Sequence, residues 1–206
     1  MIHIDQACFE TLVSGGQIIE ADGFGPKVYL LPDGAYVKIF RRKRWLSSAM
    51  WSPYAQRFSD NCRTLAARGV PCPDIIAVYR IPSIERDAVH YSPLPGQSLR
   101  QILKQGIDAA EAAALRRQLG GFVARLHALG VYFRSLHLGN IVRTPQGELG
   151  LIDTADMRIF RRGLGRLLRA RNLKHMRRHA QEGGWLGADG EFFTAYRQAA
   201  AENAPA

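Results

Sequence analysis

Asn140 and Asp153 carry side-chain oxygens of the type that can serve metal chemistry. Asn140 closes the stretch Val131-Tyr-Phe-Arg-Ser-Leu-His-Leu-Gly-Asn140, and Asp153 follows the apolar run Leu149-Gly-Leu-Ile152 directly. A carboxylate at the end of a buried strand is costly without a cation. Magnesium takes oxygen ligands and keeps several waters, so one carboxylate and one amide oxygen beside phosphate groups suit it. The competing reading of Asp153 is a cap on the next turn, a common use of Asp. Asp156 is open to the same two readings. Ser135 has no useful basicity at neutral pH and cannot replace a carboxylate as general base. His137 either stabilises developing charge or is a structural histidine of the loop. Lys38, in Tyr-Val-Lys-Ile, is either a functional cation or an ordinary edge lysine.

These residues need elements to place them. Alternating apolar residues predict strands over 17–21, 27–31, 35–40, 75–80 and 88–92, with turns at Gly23-Phe-Gly-Pro26 and Pro32-Asp-Gly34. Ser52-Pro53 reads as a cap followed by Pro at the first helical position, opening a helix that runs to about Arg68. After Pro93-Leu-Pro-Gly96 the pattern changes to helices. Ser98 caps a short one to Gln105, and 109–129 carries Leu115, Leu119, Phe122, Val123 and Leu126 at helical spacing, closed by Gly130. Two short strands, 141–142 and 150–152, bracket Thr144-Pro-Gln-Gly147, and helices follow over 163–181 and 190–201. The expected fold class is α+β: a five-stranded antiparallel sheet plus one helix over 1–92, a connection at 93–97, and a short, mainly helical part over 98–206.

Composition narrows the partners. The chain has 206 residues, 47% of them hydrophobic, and a net charge of +10. Residues 34–59 and 157–181 contain no Asp or Glu, and the second of these carries a dense basic segment, 158–178. A one-signed field favours an anionic partner, the bland alternative being a solvated face. The three cysteines show no metal spacing and read as free thiols of a reducing compartment. The first residues lack the basic and apolar regions of a leader, and no run approaches a membrane span of ~18 apolar residues, so a cytoplasmic location is expected.

The loop resembles the kinase pattern H-R-D-L-x-x-x-N, and Leu151-Ile-Asp153 the strand that ends in the D-F-G Asp. The order of elements is also the kinase layout, a bilobal protein-kinase-like fold. On that resemblance Asn140 and Asp153 are metal ligands and Lys38 pairs with nucleotide phosphates. Gly23 and Gly25 let the backbone approach phosphate, although a plain hairpin explains them equally. Ser135 and His137 occupy the catalytic places, Ser135 standing where the Asp base is expected and Phe133 where the His is expected. Helix spacing puts the acid that should pair with Lys38 near Phe58; Asp60 is the nearby acid, and a solvated helix face is the better reading for it.

The chain as a whole resembles the bacterial lipopolysaccharide-core kinases (Kdo/WaaP type), nearest the group known as toluene tolerance proteins. The resemblance covers roughly residues 17–180 and rests on Ala21-Asp-Gly-Phe-Gly-Pro-Lys-Val28, Val37-Lys-Ile-Phe-Arg-Arg-Lys-Arg44, Trp51-Ser-Pro-Tyr-Ala-Gln-Arg-Phe58, Pro93-Leu-Pro-Gly96, the loop over 130–140 and Leu151-Ile-Asp-Thr-Ala-Asp-Met157. Leu-His-x-Gly-Asn also looks like the D-L-H-x-G-N loop of aminoglycoside phosphotransferases. The resemblance implies ATP and Mg2+ as cofactors and a sugar of the lipopolysaccharide core, or another anionic lipid-linked sugar, as acceptor. Arg161, Arg162, Arg166 and Arg169 would hold that acceptor or the inner-membrane surface, making the protein peripheral there. The alternative is a pseudokinase that scaffolds or regulates envelope assembly. Nucleic acid is the disfavoured partner, since no nucleic-acid motif accompanies the charge.

Overall fold

The computed structural model describes residues 1–41, 53–178, 180–187 and 190–202. Ser52, the expected helix cap, and the basic residues Arg42, Lys43 and Arg44 lie outside the described residues. The fold is mixed α+β, and the chain forms two compact units: Met1–Leu94 with Asp153–Asp156, and Pro95–Ile152 with Met157–Ala206.

The first unit contains β1 (Ile2–His3), α1 (Gln6–Leu12), β2 (Gln17–Asp22), β3 (Gly25–Leu30), β4 (Tyr36–Arg41), α2 (Tyr54–Ala67), β5 (Asp74–Ile81) and β6 (Arg86–Ser92). The strands form one sheet in the order β1-β5-β6-β4-β3-β2. It has six strands rather than the expected five, because β1 adds to the edge, parallel to β5 with Ile2 opposite Tyr79. A two-residue strand has no periodicity to read, so the sequence carries no signal for it. α1 was also unanticipated. Asp5 caps it by accepting from the Cys8 N–H at 2.8 Å, and its one buried residue, Phe9, joins Leu31, Ala35, Val37, Ile81 and Ala88 in a core cluster.

Alternation along β4 decides where Lys38 points. Val37 belongs to the cluster with Phe9, and Ile39 packs against it. Successive strand residues face opposite sides of the sheet. Lys38 and Phe40 therefore face the second cluster, built from Ala55, Phe58 and Cys62 of α2 with Val78, Val89 and Ala155.

The second unit contains β7 (Gln97–Ser98), α3 (Leu99–Gln105), α4 (Ala109–Ala128), β8 (Val131–Phe133), β9 (Ile141–Arg143), β10 (Leu149–Leu151), β11 (Met157–Ile159), α5 (Arg166–Met176), α6 (Ala180–Gly187) and α7 (Glu191–Glu202). Ser98 and Gln101 form a reciprocal capping box on α3, and Asp108 caps α4 through the Glu111 N–H. The expected helix 163–181 is two helices, and it starts late because Gly163 and Gly165 precede it. β8 pairs with β11, Phe133 opposite Met157, so the strand leading into the 131–140 loop is tied to a distant segment. Gly120 of α4 is required by close packing: a Cβ there would run into the Phe192 carbonyl of α7.

Candidate functional site

In the first unit, Lys38 Nζ donates to Asp153 Oδ1 at 2.6 Å. The Lys38 side chain is 19% exposed and that of Asp153 48%. The ammonium sits 5.8 Å from the centre of the Phe40 ring and 6.0 Å from that of Phe58. α2 therefore presents a phenyl ring to Lys38 where an acid was expected, and the lysine takes its counter-charge from Asp153. Asp60 is exposed and accepts from Gln56 of its own helix at 2.8 Å.

Asp153 is held in an unusual backbone conformation, with φ +54°. Asp tolerates the left-handed region better than most residues, but it is still uncommon there. The segment after it keeps it in place. The Thr154 hydroxyl donates to the Phe58 carbonyl at 3.1 Å, Asn61 Nδ2 donates to the Thr154 carbonyl at 2.7 Å, and Ala155 is buried against α2. A side-chain oxygen exposed at a conformationally demanding position is the arrangement found where a residue has work beyond packing. Nearby, burial pushes the Tyr91 hydroxyl above its ordinary range, and the Asp153 charge adds to the effect. Asp156 ends the short turn Thr154–Asp156.

Gly23 and Gly25 lie at the β2–β3 turn, and Gly25 has φ +110°. A Cβ at either would meet open space. The Phe24 N–H donates to Asp22 Oδ1 at 2.9 Å, which holds the Asp22 carboxyl below its ordinary range. One amide of this turn is thus already used within the hairpin.

In the second unit, the loop after β8 winds into a short turn, Leu138–Asn140. Asn140 is 8% exposed, and its Nδ2 donates to the Ser135 carbonyl at 3.0 Å. An amide has two donors on nitrogen and acceptor capacity only on oxygen. Anchoring the nitrogen makes Oδ1 the atom left for a cation. The Asn140 carbonyl accepts from the Ile152 N–H at 3.0 Å, one residue before Asp153. Ser135 and His137 are both partly buried.

A brace absent from the sequence reading holds this loop. Glu182 of α6, 7% exposed, accepts from the Leu138 N–H at 3.0 Å with Oε2 and from Arg100 Nε at 2.6 Å with Oε1. Arg100 in turn lies 3.4 Å from His137 Nδ1, which must act as the acceptor because a guanidinium only donates. A Cβ on Gly139 would come within 2.9 Å of that guanidinium, so a larger residue there would require Arg100 to shift. The available signal was Glu182 itself, the first acid after the acid-free stretch 157–181.

A second brace holds β8. Asn172 Nδ2 donates to the Phe133 carbonyl at 2.6 Å, and its Oδ1 lies 3.3 Å from His127 Nε2. With the amide so oriented, Nε2 carries the imidazole proton and Nδ1 accepts from the Tyr196 hydroxyl at 2.8 Å. Burial pushes His127 down from 6.5 to about 4.

The basic segment divides. Arg161, Arg162 and Arg166 are exposed, whereas Arg169 is turned inward and donates from Nε to the Leu164 carbonyl at 2.7 Å. Leu164 is core and Leu167 is 87% exposed. A cavity of about 810 Å³ is lined by Arg171, Lys174, His175, Arg177 and Arg178 with Phe193, with no acid among the described residues that line it.

No group of three or more His, Cys, Asp or Glu among the described residues forms an all-protein metal cage. Magnesium is bound instead by one or two protein oxygen ligands together with phosphate and water, and the half-exposed Asp153 carboxylate offers such an oxygen. None of the described helices is long and apolar enough to cross a membrane. A search of the curated proteins finds no match. The model of the Phosphotransferase enzyme family, APH, matches residues 20–135, which includes Lys38 and ends at Ser135. Since that match takes in more than half of the chain, this protein belongs to the Phosphotransferase enzyme family, within the protein-kinase-like superfamily.

Proposed function

We propose that this chain is an ATP- and magnesium-dependent phosphotransferase acting on a sugar hydroxyl of the lipopolysaccharide core or a related anionic lipid-linked sugar. The observation that carries the reading is the 2.6 Å contact between Lys38 and Asp153. It joins, in one unit, the two residues that the sequence pattern marks for phosphate and metal. In the proposed site Lys38 and Asp153 would hold the phosphates and the metal. Bound magnesium would neutralise charge on the phosphates. The chain's own contribution is orientation: Ser135 and Glu182 fix the loop, and α2 fixes Asp153 through Thr154. With Ser135 in the base position, deprotonation of the acceptor is unassisted, and transfer is slow.

The exposed arginines 161, 162 and 166 beside Leu167 support peripheral contact with an anionic inner-membrane surface from the cytoplasmic side. A pseudokinase is the second reading, favoured by Ser135 and by Phe58 in place of the helix acid. Thermal unfolding with and without magnesium–ATP tests the nucleotide site. A ligand at about a hundred times its dissociation constant adds about 2.7 kcal/mol to native stability. The expected shift requires magnesium and disappears in Lys38→Ala and Asp153→Asn, the latter chosen because Asn also tolerates positive φ. No shift in wild type would defeat the reading. Given that shift, phosphate transfer to purified core oligosaccharide separates enzyme from pseudokinase.

A further inference from the structure

A cavity of about 560 Å³ in the second unit lies between α3, the turn at Gly106, the first part of α4, and α6. That volume suits a mono- or disaccharide. Its lining combines the Trp185 indole and apolar Leu103 and Ile107 with the cations Arg100, Lys104 and Arg116. Among the described residues the one acid in the lining is Glu182, and its charge is committed to Arg100 and the Leu138 N–H. Arg116 is paired with Glu191 at 2.5 Å and lies 5.6 Å from the Trp185 ring centre. Lys104 is exposed at the rim and makes no ion pair among the described residues. An aromatic wall ringed by hydrogen-bonding side chains suits a sugar ring, whose C–H faces pack on the indole while its hydroxyls meet the polar groups. The positive balance of the rim favours a sugar carrying phosphate or carboxylate and disfavours an amino sugar.

The cavity is joined to the loop by shared residues. Arg100 lines it and also contacts His137 and Gly139, and Glu182 lines it and holds the Leu138 N–H. An occupant would touch the groups that set the backbone leading to Asn140. We infer that this cavity is the acceptor subsite, taking an anionic sugar with Trp185 as its platform and Lys104 as its charge selector. The inference rests on the phosphotransferase reading and moves the acceptor away from the exposed arginines of the basic segment.

Isothermal titration and ligand-observed NMR on the full chain, with glucose 6-phosphate, glucuronic acid, glucose and glucosamine, test it. The two acidic sugars should bind, glucose about tenfold more weakly, and glucosamine not at all. Trp185→Ala and Lys104→Glu should each weaken glucose 6-phosphate by about tenfold or more while leaving the magnesium–ATP thermal shift at its wild-type size. If Trp185→Ala fails to fold, Lys104→Glu at its exposed position still decides the matter. The assignment is overturned if no sugar of the panel binds at millimolar concentration, if glucosamine binds best, or if the folded variants bind like wild type. Sugar binding by a wild-type protein that shows no magnesium–ATP shift would end the acceptor role as well, and would place the failure in the phosphotransferase reading rather than in the cavity.

Discussion

Ser135 is where the chemistry of this chain is most exposed to test. On the proposed phosphotransferase reading, a carboxylate in its place would accept the acceptor's proton, and a positioned general base contributes about 10²–10⁴-fold. Ser135→Asp is therefore expected to raise the rate of phosphate transfer by a factor in that range, measured with radiolabelled ATP under single-turnover conditions. A variant slower than wild type would show that Ser135 belongs to a working site of a different design. Phe58 is the companion departure. Its ring lies 6.0 Å from the Lys38 ammonium, and its own carbonyl receives the Thr154 hydroxyl. The helix thus steadies the Asp153 segment by backbone contact, and the lysine is left with Asp153 as its ionic partner.

At the scale of elements, one brace holds the loop and a second holds β8, and each makes a prediction. Glu182→Ala removes the acceptor of the Leu138 N–H and leaves Arg100 without its carboxylate. Charged hydrogen bonds of this kind are worth about 1.5–3 kcal/mol, so a loss of about 2 kcal/mol is expected in urea unfolding. The loop should also exchange its amide protons faster, at Leu138 above all. The His127 brace is sensitive to pH. Its folded-state value, about 4, is below the ordinary 6.5, so the unfolded chain takes up the proton first as pH falls. The stabilisation from neutral His127 is fully present above pH ~6.5 and is lost between there and pH ~4, amounting to about 3 kcal/mol. Urea midpoints should fall over this window, and His127→Gln should flatten that dependence. An unchanged slope in the variant would place the acid sensitivity elsewhere.

For the whole molecule, a net charge of +10 with Arg161, Arg162 and Arg166 exposed sets the expectation for surfaces. Vesicles containing anionic phospholipid should retain the protein at low salt and release it as ionic strength rises toward ~1 M, where the Debye length falls to ~3 Å. Replacing these three arginines by Glu should abolish retention, and neutral vesicles should retain neither form. Much of the architecture was legible beforehand. The strands of the sheet other than β1, the long helix α4 and the caps at Ser98 and Gly130 follow from periodicity and turn chemistry, which are local. The candidate residues Lys38, Asn140 and Asp153 were legible because their motifs are contiguous. What no local pattern carries is the company those residues keep. That Lys38 meets Asp153 over a phenyl ring depends on which face of β4 packs on α2, together with the return of residues 153–156 to that unit. That Glu182 and Arg100 hold the loop, and that Arg169 turns inward while its neighbours stay exposed, depends on pairings between segments far apart in the chain. Charge and periodicity belong to the sequence. The partner of a buried charge is chosen by tertiary packing, because an ion is stable away from water only where folding brings its counter-charge and hydrogen-bond partners to it.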